Sequence, residues 1–203
     1  MILTYLGKQF FKIQQGDTVV AVNPISKESK WDGKVSKFGS ELVLITTRHP
    51  DFNGVDTVTY GEATPFVISG AGEYEVKGIG IRGAESVTTI GGKEFMNTAY
   101  SLSLEGITVA TLGAISPETK VSDLSIDSPD ILLLPIGAGM DPAKAYKMAV
   151  SLEPHIIIPM DYDEKELKAF LKEAGQNPEP LEKLTIKRKE VEAKESEIVV
   201  LSF

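Results

Sequence analysis

The sequence predicts an α/β protein in which two mixed β-sheets pack face to face with helices outside, a layered sandwich. The first hundred residues consist mostly of short β-rich segments separated by turn signals that contain glycine. Beyond residue 129, buried strands alternate with amphipathic helices. No linker rich in Pro, Gly or Ser separates the two parts, so we expect one domain over residues 1–203.

The N-terminal segments predict an antiparallel meander followed by a central strand. Residues 2–6, 10–15 and 18–22 are rich in β-formers and are separated by "GK" and "GD" turns. Residues 23–41 are polar and hold the single tryptophan, which predicts a long loop. Residues 42–47, "LVLITT", are apolar on both faces at first, as in a central strand of a covered sheet.

The β-rich pattern continues over residues 65–69, 73–83 and 97–113, the last broken by an "EG" turn that predicts a hairpin. Within it, "GIGIRG" (78–83) matches the glycine pattern of a dinucleotide-binding loop. That mechanism needs a helix whose N-terminus faces the phosphates, and the following "AESVTTIGG" offers none. We therefore expect a strand or hairpin there, with no nucleotide.

The second half predicts strands and helices in alternation. Residues 141–154 have helical apolar spacing, with Asp141 as N-cap and Pro142 in the first turn. Residues 163–175 repeat this pattern, with Asp163 and Glu166 spaced as a capping box and Gly175 as a stop. The predicted strands of this half are 130–136, 155–160, 183–191 and 196–203.

Composition excludes several classes of function. The net charge of −8 and pI near 4.9 oppose binding to a phosphate backbone, so we expect no nucleic-acid partner. The chain has no cysteine, which removes thiolate zinc sites and cysteine nucleophiles and fits a cytoplasmic protein. No apolar run approaches the roughly 18 residues that span a bilayer, and we expect neither a membrane partner nor a signal peptide.

Six stretches of the chain together resemble one family. They are "MILTYLGKQFFKI", "VLITTRHPDFNGV", "GAGEYEVKGIGIRG", "ATLGAI", "ILLLPIGAGMDPAKA" and "IIIPMDYD", in this order. In this respect the chain resembles the metallo-β-lactamase superfamily, in particular the branch of small zinc-dependent hydrolases similar to L-ascorbate-6-phosphate lactonase. The resemblance implies the four-layer αββα sandwich of the metallo-β-lactamase fold.

The same resemblance implies a degenerate metal site. In the segment that corresponds to the family's His-x-His-x-Asp-His motif, His49 and Asp51 match, whereas Thr47 and Phe52 stand at the first and last histidine. The final ligand histidine of the family falls on Asp161.

Two further ligand positions of the family are changed as well. The later histidine falls on Thr88 and the bridging aspartate on Ala114. The early "Gly-His-Ser" becomes Gly7-Lys8-Gln9, so Lys8 is a candidate to place an ammonium against Asp51 or Asp161 in place of the metal charge. With two histidines in total, the chain cannot supply the family's five-histidine pair of sites.

Two functions follow as alternatives. The first is a pseudoenzyme that has lost its dinuclear zinc site, needs no cofactor, and binds an unknown small molecule or protein or assembles as a homo-oligomer. The second is a mononuclear hydrolase of a phosphoester or lactone, in which His49, Asp51 and Asp161 hold one divalent metal ion (Zn, Mn or Fe) and Asp51 also orients water.

Overall fold

The computed structural model describes residues 1–61, 64–124, 126–137 and 139–203. Short 3₁₀ turns lie at Val55–Thr57 and Val121–Leu124. The strands and α-helices of the described part are, in chain order, β1 (Ile2–Tyr5), β2 (Phe11–Gln15), β3 (Thr18–Val22), β4 (Leu42–Leu44), β5 (Phe66–Ile68), β6 (Gly72–Val76), β7 (Ile79–Ile90), β8 (Lys93–Leu104), β9 (Ile107–Thr111), β10 (Ile131–Pro135), α1 (Pro142–Ser151), β11 (Ile156–Met160), α2 (Glu164–Ala174), β12 (Leu184–Thr185), α3 (Arg188–Val191) and β13 (Glu197–Ile198).

The strands form two mixed sheets, as the sequence predicts. The first sheet has the order β12-β1-β2-β3-β4-β5, and β1, β2 and β3 form the expected antiparallel meander. The second has the order β13-β11-β10-β9-β8-β7-β6, with parallel pairing from β13 to β9 and antiparallel pairing from β9 to β6. The predicted sandwich of two mixed sheets is therefore confirmed.

The main core lies between the two sheets, because alternate side chains of each strand point to opposite faces. On β3, Val20 and Val22 belong to the core between the sheets, and Ala21 belongs to a separate cluster on the outer face. That outer face is covered by apolar side chains of the predicted long loop, including Trp31 and Phe38. The outer layer on this side is thus a packed loop with a 3₁₀ turn.

The outer face of the second sheet is covered by α1 and α2. On β10, Leu132 and Leu134 belong to the cluster that also contains Ala145 and Met148 of α1 and Phe170 of α2. Both helices begin as predicted: Asp141 accepts a hydrogen bond from the Lys144 amide, and Asp163 forms a capping box with Glu166. In the described part of the chain no helix has both the length and the apolar composition needed to span a bilayer.

Three predicted boundaries are wrong. The strand predicted over 42–47 ends at Leu44, because the Thr46 amide leaves the ladder and donates to Asn23 Oδ1. Residues 183–191 contain β12 and then α3, since the Glu190 carboxylate accepts from the Lys187 amide and starts a helical turn. The strand predicted over 196–203 is limited to β13 and an isolated bridge at Leu201.

Strands β7 and β8 form a hairpin that extends into residues 84–96, which lie between the predicted β-rich segments 73–83 and 97–113. Its strands pair continuously from Gly80 to Ile90, around a turn at Gly91 and Gly92, both with positive φ. Its first part includes the "GIGIRG" segment, which is a strand preceded by a turn, as expected.

Candidate binding cleft at the strand ends

A cavity of about 470 Å³ opens where strands of both sheets end. Most of the site positions predicted from the sequence line it, and they come from separate parts of the chain. Lys8 follows β1, Asp51 and Phe52 follow β4, Thr88 lies on β7, Ala114 follows β9 and Asp161 follows β11. Thr47 and His49 lie in the segment after β4 without lining this cavity. The ends of strands from both sheets thus bring these side chains together around one cavity.

Lys8 and Asp161 form an ion pair in the cleft. Lys8 Nζ lies 3.5 Å from Asp161 Oδ1, and the two side chains are 32% and 17% exposed. Gln9 Nε2 donates to the other carboxylate oxygen, Asp161 Oδ2, at 3.1 Å. Both oxygens of Asp161 are therefore engaged by groups of the protein itself, and one of these groups is a cation.

Tyr5 connects the two loops that carry this pair. Its hydroxyl donates to the Lys8 carbonyl at 2.7 Å and accepts from the Asp161 amide at 2.9 Å. Asp161 has a positive φ of 54°, a conformation that Asp tolerates better than most residues. Burial raises the pKa of the Tyr5 hydroxyl far above its usual value of 10, so it stays protonated and can keep donating.

Gln9 extends the hydrogen-bond network to the segments that follow β3 and β4. Its Oε1 accepts from Asn23 Nδ2 at 3.4 Å, and Asn23 Oδ1 accepts from the Thr46 amide at 2.8 Å. Asn23 and Gln9 are buried, and Asn23 has a φ of 49°, which again suits asparagine. A connected chain of hydrogen bonds thus runs from the Thr46 backbone to the Asp161 carboxylate.

His49 and Asp51 contact each other, the long loop before β4 and strand β8. The Asp51 amide donates to His49 Nδ1 at 3.2 Å, and Ser29 Oγ donates to Asp51 Oδ1 at 2.5 Å. His49 Nδ1 also lies 3.8 Å from Asp51 Oδ2. The imidazole packs edge-on against Phe95, with ring centroids 5.5 Å apart, and beside Phe52.

Thr47 and Ala114 are both hydrogen-bonded to the buried side-chain amide of Asn97, a residue that the sequence predicts only as part of a strand. Asn97 Oδ1 accepts from Thr47 Oγ1 at 3.1 Å and from the Ala114 amide at 3.0 Å. Its Nδ2 donates to Ser86 Oγ and to the Leu112 carbonyl. Asn97 is fully buried, and its polar atoms are satisfied by these four hydrogen bonds.

Phe52 and Thr88 are also buried in the wall of the cleft. An aromatic ring covered to this degree stabilises the fold by roughly 1.5–3 kcal/mol through apolar burial. Phe52 therefore contributes to packing in the wall of the cavity.

The residues of the cleft do not fit the zinc site of the family. Among the residues that the structure describes, no group of three or more His, Cys, Asp or Glu side chains converges as metal ligands would. A catalytic zinc needs about three such protein ligands and an open position for water. Asp161 is engaged by Lys8 and Gln9, and His49 Nδ1 by a backbone amide. One metal ion held by His49, Asp51 and Asp161 stays a prediction.

Comparison with known proteins gives one family and several similar structures. The family model described as a beta-lactamase superfamily domain matches residues 2–161. No curated protein matches the chain significantly. A Thermotoga maritima protein, proposed to be a Zn-dependent hydrolase of the metallo-beta-lactamase superfamily, superposes with a TM-score of 0.78 at 25% identity, covering 98% of this chain and 97% of that chain.

Two more distant structures share the fold. A metallo hydrolase from Ignicoccus hospitalis has a TM-score of 0.61 at 18% identity, with 92% of this chain and 99% of that chain covered. An isothiocyanate hydrolase from Delia radicum gut bacteria has a TM-score of 0.61 at 14% identity, with 100% and 96% covered.

Proposed function

The chain belongs to the beta-lactamase superfamily domain family, and on this premise we propose that it is a non-catalytic member that keeps the cleft of its metal-dependent relatives as a binding site. In this proposal the chain keeps the sandwich of the family and lacks its metal centre. This chain has the sandwich and a cavity at the strand ends. The side chains in the cavity have contacts that replace metal coordination.

The observation that carries the proposal is the Lys8–Asp161 pair. An ammonium at 3.5 Å supplies positive charge to the carboxylate that would otherwise ligate a metal. A divalent cation beside Asp161 would be repelled by Lys8 and would have to displace both Lys8 and the Gln9 amide. The internal cation and the metal ion therefore compete for one position.

The metal content of the protein tests this proposal directly. Protein purified from medium supplemented with zinc and manganese is expected to contain far less than one metal ion per chain by mass spectrometry. Stoichiometric metal that is lost in His49→Ala would overturn the proposal and favour a mononuclear hydrolase.

A matched pair of lysine variants tests the role of Lys8. Lys8→Met removes the ammonium beside Asp161, and Lys12→Met removes the same charge where Lys12 lies over the Phe38 ring, outside the cavity. We expect the affinity for Mn²⁺, measured by calorimetry, to rise about three- to tenfold in Lys8→Met and to stay unchanged in Lys12→Met. An equal response of the two variants would contradict the proposed replacement.

A panel of phosphoester and lactone substrates tests catalysis itself. We expect any residual hydrolysis to be the same in the wild type and in Asp51→Ala. Activity that is confined to the wild type would support the hydrolase alternative.

We also propose that the protein acts in the cytoplasm and has a small molecule, a protein or a second copy of the chain as partner. Light scattering would distinguish a homo-oligomer from a monomer.

A further inference from the structure

We propose that the cavity binds an organic cation, an amine or quaternary ammonium group on a small apolar body. This inference rests on the proposed function, since it names the class of ligand for the same cleft. A volume of about 470 Å³ is within the usual range of small-molecule pockets. The charge and the aromatic content of its walls decide which small molecules fit.

Negative charge dominates the described part of the cavity wall. Asp51, Asp161, Asp163 and Glu166 contribute four carboxylates, and Lys8 contributes the one ammonium. That ammonium is already paired with Asp161. The protein as a whole has a net charge of −8, which adds to the attraction of cations into a cleft with low-dielectric walls.

The positive end of helix α2 does not offset this charge. Its N-terminus lies at the cavity, where free amides would favour an anion. The Glu166 amide donates to Asp163 Oδ1 and the Asp163 amide donates to Glu166 Oε2, both at 2.8 Å. The capping box thus uses these amides and leaves two carboxylates at the helix end.

The carboxylates are too dispersed for an inorganic cation. In the described ranges no three acidic or histidine side chains converge on one point. A hard ion such as Mg²⁺ or Ca²⁺ requires about six oxygen ligands at short distance. Charge that is spread around a cavity matches a larger and weakly hydrated cation.

One wall of the cavity is a series of aromatic rings in mutual contact. Phe203 packs edge-on against Tyr5, with ring centroids 5.1 Å apart, and lies 6.0 Å from the ring of Trp31. Tyr162 lies 6.3 Å from Tyr5 on another side. Phe203 is 69% exposed, so its ring is available to a ligand. Aromatic faces attract organic cations through their quadrupoles, and Trp does so best.

The fluorescence of Trp31 can report ligand binding, because Trp31 is the single tryptophan of the chain and lines the cavity. Choline, 3,3-dimethylbutan-1-ol and 3,3-dimethylbutanoate have nearly the same apolar body and differ in charge. We titrate each into metal-free protein and follow Trp31 emission. We expect a saturable change with choline at an affinity at least about tenfold above that of the neutral alcohol, and no saturation with the carboxylate.

Two variants of helix α2 separate charge in the cavity from charge nearby. Glu166→Gln removes a lining carboxylate and preserves a residue that can form the capping box. Glu164→Gln makes the same charge change on the exposed side of that helix turn, outside the cavity. We expect choline binding to weaken about three- to tenfold in Glu166→Gln and to be unchanged in Glu164→Gln.

Equal binding of choline and the alcohol, tighter binding of the carboxylate, or no saturable change with any of the three would overturn this inference. The proposed function would survive these outcomes, because it requires a binding site without metal-dependent catalysis and commits to no class of ligand. Stoichiometric metal in the purified protein would overturn the proposed function instead, and choline binding to chelated protein would still be measurable.

Discussion

Gly113 follows β9, directly before the cavity residue Ala114, and has no room for a side chain. Its φ of 65° is in the left-handed region, and a Cβ atom there would collide with Asn97 Oδ1 and lie 2.6 Å from Thr46 Cβ. Gly91, in the turn of the long hairpin, has a similar φ of 58° but no atom within 4 Å of the same position. The two glycines therefore separate backbone strain from steric overlap.

We predict that Gly113→Ala lowers the free energy of unfolding by about 3–5 kcal/mol, from conformational strain plus overpacking of the Asn97 network. Gly91→Ala incurs only the strain, about 1–2 kcal/mol. Urea denaturation of both variants measures the difference. Similar losses in the two variants would show that the packing around Gly113 yields to an added methyl group.

The residues of the cleft show how far a sequence can predict a site. The resemblance to a family identified Lys8, Asp51 and Asp161, and the structure places all three around one cavity. Asn97 and Gln9 were missed, because a buried amide has no pattern of its own in a single sequence. Its partners are far apart along the chain and meet only through the fold.

Helix α2 positions part of the cleft through its first turn. The capping box of Asp163 and Glu166 was predicted from their spacing and is present, with the Gly175 stop also confirmed at a φ of 65°. Such local signals are reliable because both hydrogen bonds close within four residues. The length of the β7–β8 hairpin and the turn of α3 were harder to predict, since pairing partners and tertiary contacts decide them.

We predict that Asp163→Ala lowers the free energy of unfolding by about 1 kcal/mol, because the Glu166 amide loses its acceptor. Asp163→Asn is the matched control, since asparagine caps a helix about as well and only the charge is removed. Chemical denaturation followed by circular dichroism provides the measurement. A loss of equal size in Asp163→Asn would assign the effect to the charge at the helix terminus rather than to the cap.

Across the whole molecule, two buried tyrosines connect the two sheets. Tyr5, on the first sheet, accepts from the Asp161 amide after β11 of the second. Tyr100, on the second sheet, has its hydroxyl within 3.2 Å of the carbonyl oxygens of Ile45 and Gly70. Each tyrosine hydroxyl therefore forms hydrogen bonds from one sheet to a segment that follows a strand of the other.

These tyrosines predict how stability depends on alkaline pH. Burial raises the pKa of Tyr100 to about 12, and burial raises the pKa of Tyr5 further, from an unfolded value near 10. Below pH 10 both states keep the phenolic proton, so the full stability is present. Above pH 10 the unfolded chain loses the proton first, and each tyrosine lowers the free energy of unfolding by about 1.4 kcal/mol per pH unit.

We expect Tyr100→Phe to be less stable than the wild type at neutral pH, because it loses the hydroxyl contacts. Between pH 10 and pH 12 its stability should fall less steeply, because it lacks the titrating hydroxyl. Tyr60→Phe, at a tyrosine that is 79% exposed, is the matched control and should follow the wild-type slope. Urea denaturation at a series of pH values gives both slopes. Parallel curves for wild type and Tyr100→Phe would mean that the Tyr100 hydroxyl titrates alike in the folded and unfolded chain, and would contradict its role as a protonated link between the sheets.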